Sequence, residues 1–270
     1  QGPRSGTRLR AVRLTLSNKM GPSRLISPVI FDQIHYRVDP PVDEHYLAPL
    51  QLLVACARRK IINPPTLLFS TSEKAPLPGL EPHYPRCLIA SELKVLTAFG
   101  KREGKVVLKP LNQAQSKGVE LLDFRKHPAR ALKLLRDATH EESVPVLLQQ
   151  FLKGISQGEI RLWFSVGRCV GWVRKLPLKG DFRVNLDEGS GLQPCDLSAV
   201  QKRIARKIGR WLNANGVLLA AVDLIENHIT DFNFTSPGLV PQMEKISGQN
   251  LAEKIVRPLF ARSDRPSNRL

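Results

Sequence analysis

With 270 residues, 42% of them hydrophobic, the chain has the material for one large core or two modest ones. Its formal charge of +17 favours an anionic partner such as phosphate, nucleic acid or an acidic surface. Four widely spaced cysteines (Cys56, Cys87, Cys169 and Cys195) include no CxxC pair, which argues against a zinc ribbon or a dense disulfide framework and suits a reducing cytoplasm.

No apolar run approaches the roughly 20 residues that a membrane helix needs, and no signal peptide is visible. The opening Gln1-Gly2-Pro3 has the character of a protease-cleavage remnant. Residues 4–30 carry six Lys or Arg and no acid. Within them LRAVRLTL alternates apolar and basic residues and predicts a strand, the remainder a loop. A second strand is expected near 29–38, then a Pro40-Pro41 turn and a helix over about 43–59. The proline-rich stretch from Lys60 to Cys87 reads as a linker or boundary with short pieces of structure. Ser91 is a candidate cap for a helix with Leu93, Leu96 and Phe99 at helical spacing. KVVLKPL and VPVLLQQFL are apolar runs suited to buried strands, and PARALKLLRDATH between them predicts a helix with Pro128 in its first turn. EIRLWFSVGRCVGWVRKL is two alternating runs around Val166-Gly167-Arg168, a hairpin. LSAVQKRIARKIGRWLNANG gives the clearest helix, with an apolar stripe of Val200, Ile204, Ile208 and Trp211 and with Gly216 at its end. VLLAAVDLIENHITDFNF predicts two strands turning near Glu226-Asn227. This order gives an α+β or mixed α/β class.

The last of these strands carries chemistry. Alternation puts Asp231 and Asn233 on one face and sends Phe232 and Phe234 to the core. Antiparallel pairing brings Asp223 to the same space. Two carboxylates and an amide oxygen repel one another, and one or two Mg²⁺ ions bridging nucleotide phosphates relieve this. The competing reading is an edge strand with a wet face. Lys109, inside VVLKPL, is either a snorkelling edge residue or a cation held rigidly against phosphate. NQAQSKG after it is a polar loop of the kind that offers backbone N–H groups to phosphates, though with a single glycine. No Walker loop, GxGxxG or catalytic triad is present.

Taken in order, RVDPPVD, SEK, VVLKPL, LQQFLKG, GEIR, LPLKGDFRVN, AAVDLI and TDFNFTSP resemble bacterial glutathione synthetase, of the ATP-grasp superfamily, from about Leu9 to about Leu259. The resemblance implies an ATP-grasp domain over 76–260, its lid part about 76–150 and its carboxy-terminal part about 151–260. A partial amino-terminal, substrate-side α/β domain and linker (4–75) precede it, and a tail (261–270) follows. By the same resemblance Lys74 and Lys109 contact ATP phosphates, with Ser116, Lys117 and Gly118 of the lid nearby. Gln150, Phe151 and Leu152 form the adenine hinge, and Glu159 lies in the ATP site. Asp223, Asp231 and Asn233 fall on ligands for Mg²⁺ or Mn²⁺. Arg161 and Arg183 fall on arginines near the transferred phosphoryl group. Asn185, Gly189 and Ser190, with Arg37 and Asp39, fall on the peptide-substrate cleft. The implied reaction phosphorylates a carboxylate with ATP, after which an amine attacks the acyl phosphate; γ-glutamylcysteine and glycine are the family's substrates. The chain departs from the family where Asn112 to Ser116 replace repeated glycines, Asp231 a Glu, Glu159 an Asp and Lys175 an Arg.

Other readings stay open. One is a ligase acting on a different acidic peptide or an acidic protein, alone or as a homo-oligomer. Another is a degenerate ATP-grasp protein that binds a nucleotide or partner without turnover. The third is a nucleic-acid module built on Lys202, Arg203, Arg206, Lys207 and Arg210. Those cations alternate with an apolar stripe and the chain is only 6% aromatic, which favours a solvated helix face over a base-stacking platform.

Overall fold

The computed structural model describes residues 9–14, 20–113, 116–186 and 189–263. β1 (Leu9–Leu14) pairs antiparallel with β2 (Met20–Ile26). Met20–Ile26, expected as loop, is thus a strand: its Gly, Pro and Ser read as turn chemistry, yet it satisfies the backbone groups of β1. The strand expected near 29–38 shrinks to β3 (Ile34–His35), parallel to β4 (Ile61–Ile62). A 3₁₀ turn over Pro28–Ile30 takes the earlier part, because Pro28 has no N–H for a ladder. α1 (Glu44–Ala57) starts where predicted, capped by Asp43, which accepts from Tyr46 N at 3.1 Å. The short pieces of structure expected in the linker are β4 and α2 (Pro65–Ser70), and β5 (Cys87–Ala90) begins at its end.

A four-stranded antiparallel sheet follows, in the order β5, β8 (Val146–Gln150), β6 (Lys105–Pro110), β7 (Glu120–Asp123). α3 (Leu93–Glu103) and α4 (Pro128–Ala138) cover it, burying Leu96, Phe99, Leu108, Leu135 and Leu148 together. Ser91 does not cap α3. Glu92 is the cap residue and makes no side-chain bond, and the Glu142 carboxylate accepts from Leu93 N instead.

The second sheet has five antiparallel strands: β11 (Gly191–Gln193), β10 (Arg168–Leu176), β9 (Glu159–Ser165), β12 (Leu219–Ile225) and β13 (His228–Asn233). α5 (Ala199–Ala214) lies on one face, over a core that includes Ile160, Leu162, Phe164, Val222, Phe232 and Phe234. Its buried stripe is Ile204, Ala205, Ile208 and Leu212; Val200, expected there, is exposed. Ser198 and Gln201 close a capping box at its start. A Cβ on Gly209 would stand 2.1 Å from the Gly167 carbonyl oxygen, so the β9–β10 turn seats directly on helix backbone. The other face of the sheet packs Trp163, Ala221, Met243 and Leu251 beneath α6 (Val240–Ser247) and α7 (Leu251–Ser263) at one end. The other end of that face is charged. Among the described residues no helix is long and apolar enough to cross a membrane.

Asn63 ties the amino-terminal segment to this sheet. Its Nδ2 donates to Leu219 O (2.8 Å) and Phe234 O (2.7 Å), and its Oδ1 accepts from Leu218 N (2.9 Å) and Leu219 N (3.0 Å). Asn63→Leu leaves these buried backbone groups unmatched and is expected to cost about 3 kcal/mol. A thermal midpoint lowered by roughly 6–12 °C checks this, and an unchanged midpoint refutes it.

Candidate active site

The charged end of the five-stranded sheet faces the four-stranded sheet across a cavity of about 150 Å³. Its floor follows from register. Asp223 pairs with Asp231 on one side and Arg161 on the other, and Lys175 pairs with Glu159. All five side chains therefore project on one face of four neighbouring strands. Arg161 donates from Nε to Asp223 Oδ1 (2.8 Å) and from Nη2 to Oδ2 (2.6 Å). Lys175 Nζ stands 3.0 Å from Asp223 Oδ2 and 2.5 Å from Glu159 Oε1. Asn233 lines the same cavity, its Nδ2 bonded to Ala221 O.

Two lysines cover Asp231. Lys109, on β6 of the other sheet, donates to Thr230 O at 2.9 Å and lies 3.5 Å from Asp231 Oδ1. Lys74 Nζ is 2.8 Å from Asp231 Oδ2. The Lys74 loop is pinned by its neighbour, since the Glu73 carboxylate accepts from Phe234 N (2.6 Å), Thr235 N (2.8 Å) and Thr235 Oγ1 (2.9 Å). The Thr-Ser-Pro turn after β13 is in this way the seat of the Ser72-Glu73-Lys74 segment. Ser72 Oγ in turn holds Leu111 O at 2.8 Å, where the polar loop begins.

These contacts set the ionisation. Burial disfavours the Asp223 carboxylate, but Arg161 and Lys175 outweigh it and hold the group well below the usual carboxylate range. Asp231 is lowered in the same way, with Lys109 and Lys74 overcoming burial. Burial wins at Glu159, which is raised, with Asp223 and Asp231 adding to the shift against Lys175. Burial also lowers Lys109, Asp231 opposing; Lys74 ends raised because Asp231 and Glu73 overcome its burial.

Of the residues singled out from sequence, the cavity gathers Lys74, Lys109, Ser116, Gln150, Phe151, Leu152, Glu159, Arg161, Arg183, Asp223, Asp231 and Asn233. At the hinge, Gln150 N bonds Arg86 O and Phe151 N bonds Lys105 O, so Leu152 carries the donor that neither bond uses. Ser116 adopts φ 59, a left-handed conformation that glycine takes more readily. Arg183 pairs with Asp181 at 3.1 Å. Lys117 and Gly118 are exposed and do not line the cavity. Asn185, Gly189 and Ser190 form a loop beside it, closed by Asn185 N on Ser190 Oγ at 3.0 Å. Arg37 donates to Pro237 O at 2.6 Å and borders a separate small cleft with Thr235; Asp39 lines neither. Ala114 and Gln115 of the polar loop lie outside the described residues. Glu73, within SEK, was not among the candidates, and Lys175 was singled out only as standing where the family has an arginine, with no partner assigned to it. The exposed cations Lys202, Arg203, Arg206, Lys207 and Arg210 stand on α5, across the sheet from the cavity.

The family described as prokaryotic glutathione synthetase, ATP-grasp domain, matches residues 74–248. The chain belongs to this family. It is an ATP-grasp ligase by that membership, and the match takes in both sheets and the cavity between them. The glutathione synthetase of Parasynechococcus marenigrum (strain WH8102) is 32% identical over 231 residues, 85% of this chain and 75% of that protein. Among solved structures, the D-cycloserine synthetase DcsG shares the fold with a TM-score of 0.62 at 18% identity, over 80% of each chain. The ATP-grasp ligase PsnB, complexed with minimal precursor, shares it at 0.59 and 16% identity, over 81% of this chain and 70% of its own.

Proposed function

We propose that this ligase uses ATP to join a carboxylate of a small acidic peptide, such as γ-glutamylcysteine, to an amine such as glycine. The observation that carries the reading is the meeting of Lys74 and Lys109, from separate segments, over the one carboxylate of Asp231. In this reading a triphosphate displaces both ammonium groups from Asp231 and takes them as its own partners. The hinge at Leu152 receives the adenine edge. Arg161 and Arg183 face the charge that spreads over the transferred phosphoryl, where positioning and charge compensation supply most of the catalysis. The substrate carboxylate oxygen bonds to the γ-phosphorus and ADP leaves. The amine nitrogen then bonds to the acyl carbon, inorganic phosphate leaves, and the amine releases a proton.

The donor set fits Mg²⁺ or Mn²⁺. Asp231 Oδ1 is buried without a hydrogen-bond partner, and Asn233, with its nitrogen engaged, has its side-chain oxygen to offer; both are hard oxygen ligands, with Asp223 beside them. When bound, such an ion offsets phosphate charge. Asn185, Gly189 and Ser190 would lie over the peptide, with Arg37 and Asp39 on the amino-terminal side of the cleft, in a division of the chain at about residue 76. The four unpaired cysteines accord with a reducing cytoplasm.

Magnesium-dependent ADP release with γ-glutamylcysteine plus glycine tests the reading, followed by a panel of acidic peptides and amines. ADP from none of these pairs, with ATP still raising the melting temperature, would support binding without turnover. Ser116, strained where the family has glycine, favours that second reading. Ser116→Gly is expected to lower the KM for ATP severalfold with the fold unchanged; an unaltered KM would place this loop away from the phosphates.

A further inference from the structure

Asp223 is 1% exposed and both of its oxygens are engaged. Oδ1 accepts from Arg161 Nε, and Oδ2 accepts from Arg161 Nη2 and from Lys175 Nζ. A carboxylate oxygen has two lone pairs, so Oδ2 is filled. The Lys175 ammonium also touches Glu159 Oε1, at 2.5 Å, and so sits between two buried carboxylates as a bridging dication does.

Asp231 is different. Lys74 holds its Oδ2, but its buried Oδ1 accepts no hydrogen bond: Lys109 Nζ, which donates to Thr230 O, stands 3.5 Å from it, an ion-pair distance. Asn233 adds an oxygen on the same face. The buried acceptor with no hydrogen bond lies on β13, whereas on β12 Asp223 Oδ2 is filled and Oδ1 is bound to Arg161, and on β9 Glu159 Oε1 is in contact with Lys175. A second dication near Asp223 would face Arg161 and Lys175 at close range, in surroundings too buried to screen the repulsion.

We propose that the cavity takes its nucleotide with a single divalent cation, on Asp231 and Asn233, and that the Lys175 ammonium fills the place of a second one between Glu159 and Asp223. This rests on the nucleotide reading of the cavity. It changes the part played by Asp223 from metal ligand to anchor, holding Arg161 and Lys175 aimed at the phosphates. An ammonium suits the place: it is compact, carries three donors and reaches both acids at once, whereas a planar guanidinium spreads its charge over a fork.

The test is a count of bound Mn²⁺. The full chain, saturated with a non-hydrolysable ATP analogue whose binding is followed separately by calorimetry, is titrated with Mn²⁺, and free ion is read by electron paramagnetic resonance. The expected count is about one Mn²⁺ per bound analogue in the wild type and in Lys175→Arg, rising to about two in Lys175→Met, where Glu159 and Asp223 recover open oxygens. Asp231→Asn is expected to lose the first ion. Two ions in the wild type overturn the proposal whatever the variants do, and so does a folded Lys175→Met that stays at one. If the analogue itself does not bind, the nucleotide reading falls and takes this inference with it; two ions on a bound analogue leave that reading standing.

Discussion

Lys109→Met is expected to lower kcat/KM for ATP by about a thousandfold, the scale on which removing one fixed charge-stabilising donor acts. Methionine has nearly the length of lysine and suits a buried strand position, and Asp231 keeps Lys74 as its partner. The variant should therefore melt close to the wild type, which separates lost chemistry from lost structure. Lysine at this place also sets a pH limb. Burial lowers its pKa against the pull of Asp231, so the ammonium loses its proton below the ordinary lysine value of about 10.4. Affinity for ATP is then full on the acid side and falls as pH rises through that lowered value. The KM for ATP between pH 7 and pH 10 should show this limb in the wild type and a flatter profile in Lys109→Arg. Wild-type kcat/KM in Lys109→Met would remove the lysine from the phosphate site.

Asp223→Asn is expected to cost about 3–5 kcal/mol of stability, because it leaves Arg161 and Lys175 buried with only Glu159 to offset them. The melting temperature should fall by roughly 10 °C or more. The pH dependence has a definite sign. The folded carboxyl titrates below its unfolded value, so its contribution is present above about pH 3.9 and is lost as the pH falls through the folded value. The Asn variant should lack that part of the acid transition. Asp231→Asn makes the useful contrast: its side chain is 25% exposed, and its loss should cost turnover more than stability. If the two variants melted alike, the division into anchor and open ligand would be wrong.

Much of the site was legible because strand alternation is a strict rule. TDFNFTSP places its acids and its aromatics on opposite faces, and both Phe232 and Phe234 are buried as that rule requires. Lys109 could be picked out because a cation in an apolar run has to be held by something. What stayed hidden was pairing. Nothing local in Met20–Ile26 announces a strand, since its partner supplies the reason for it. The Ser91 cap failed because a carboxylate about fifty residues away met the Leu93 amide first. The roles of Lys175 and Glu73 stayed hidden for the same reason: they exist only in contacts to segments far off in sequence, Asp223 in one case and the turn at Thr235 in the other.

Lys109 stands on one sheet and grips a carbonyl of the other. The space beneath it, about 150 Å³, is bounded by both sheets, so whatever fills it touches both halves at once. An anionic guest that draws the ammonium off Thr230 O unfastens that rivet and can refasten it through its own oxygens. A guest without such oxygens leaves the fastening where it was, so the lysine itself is a check on what has been let in.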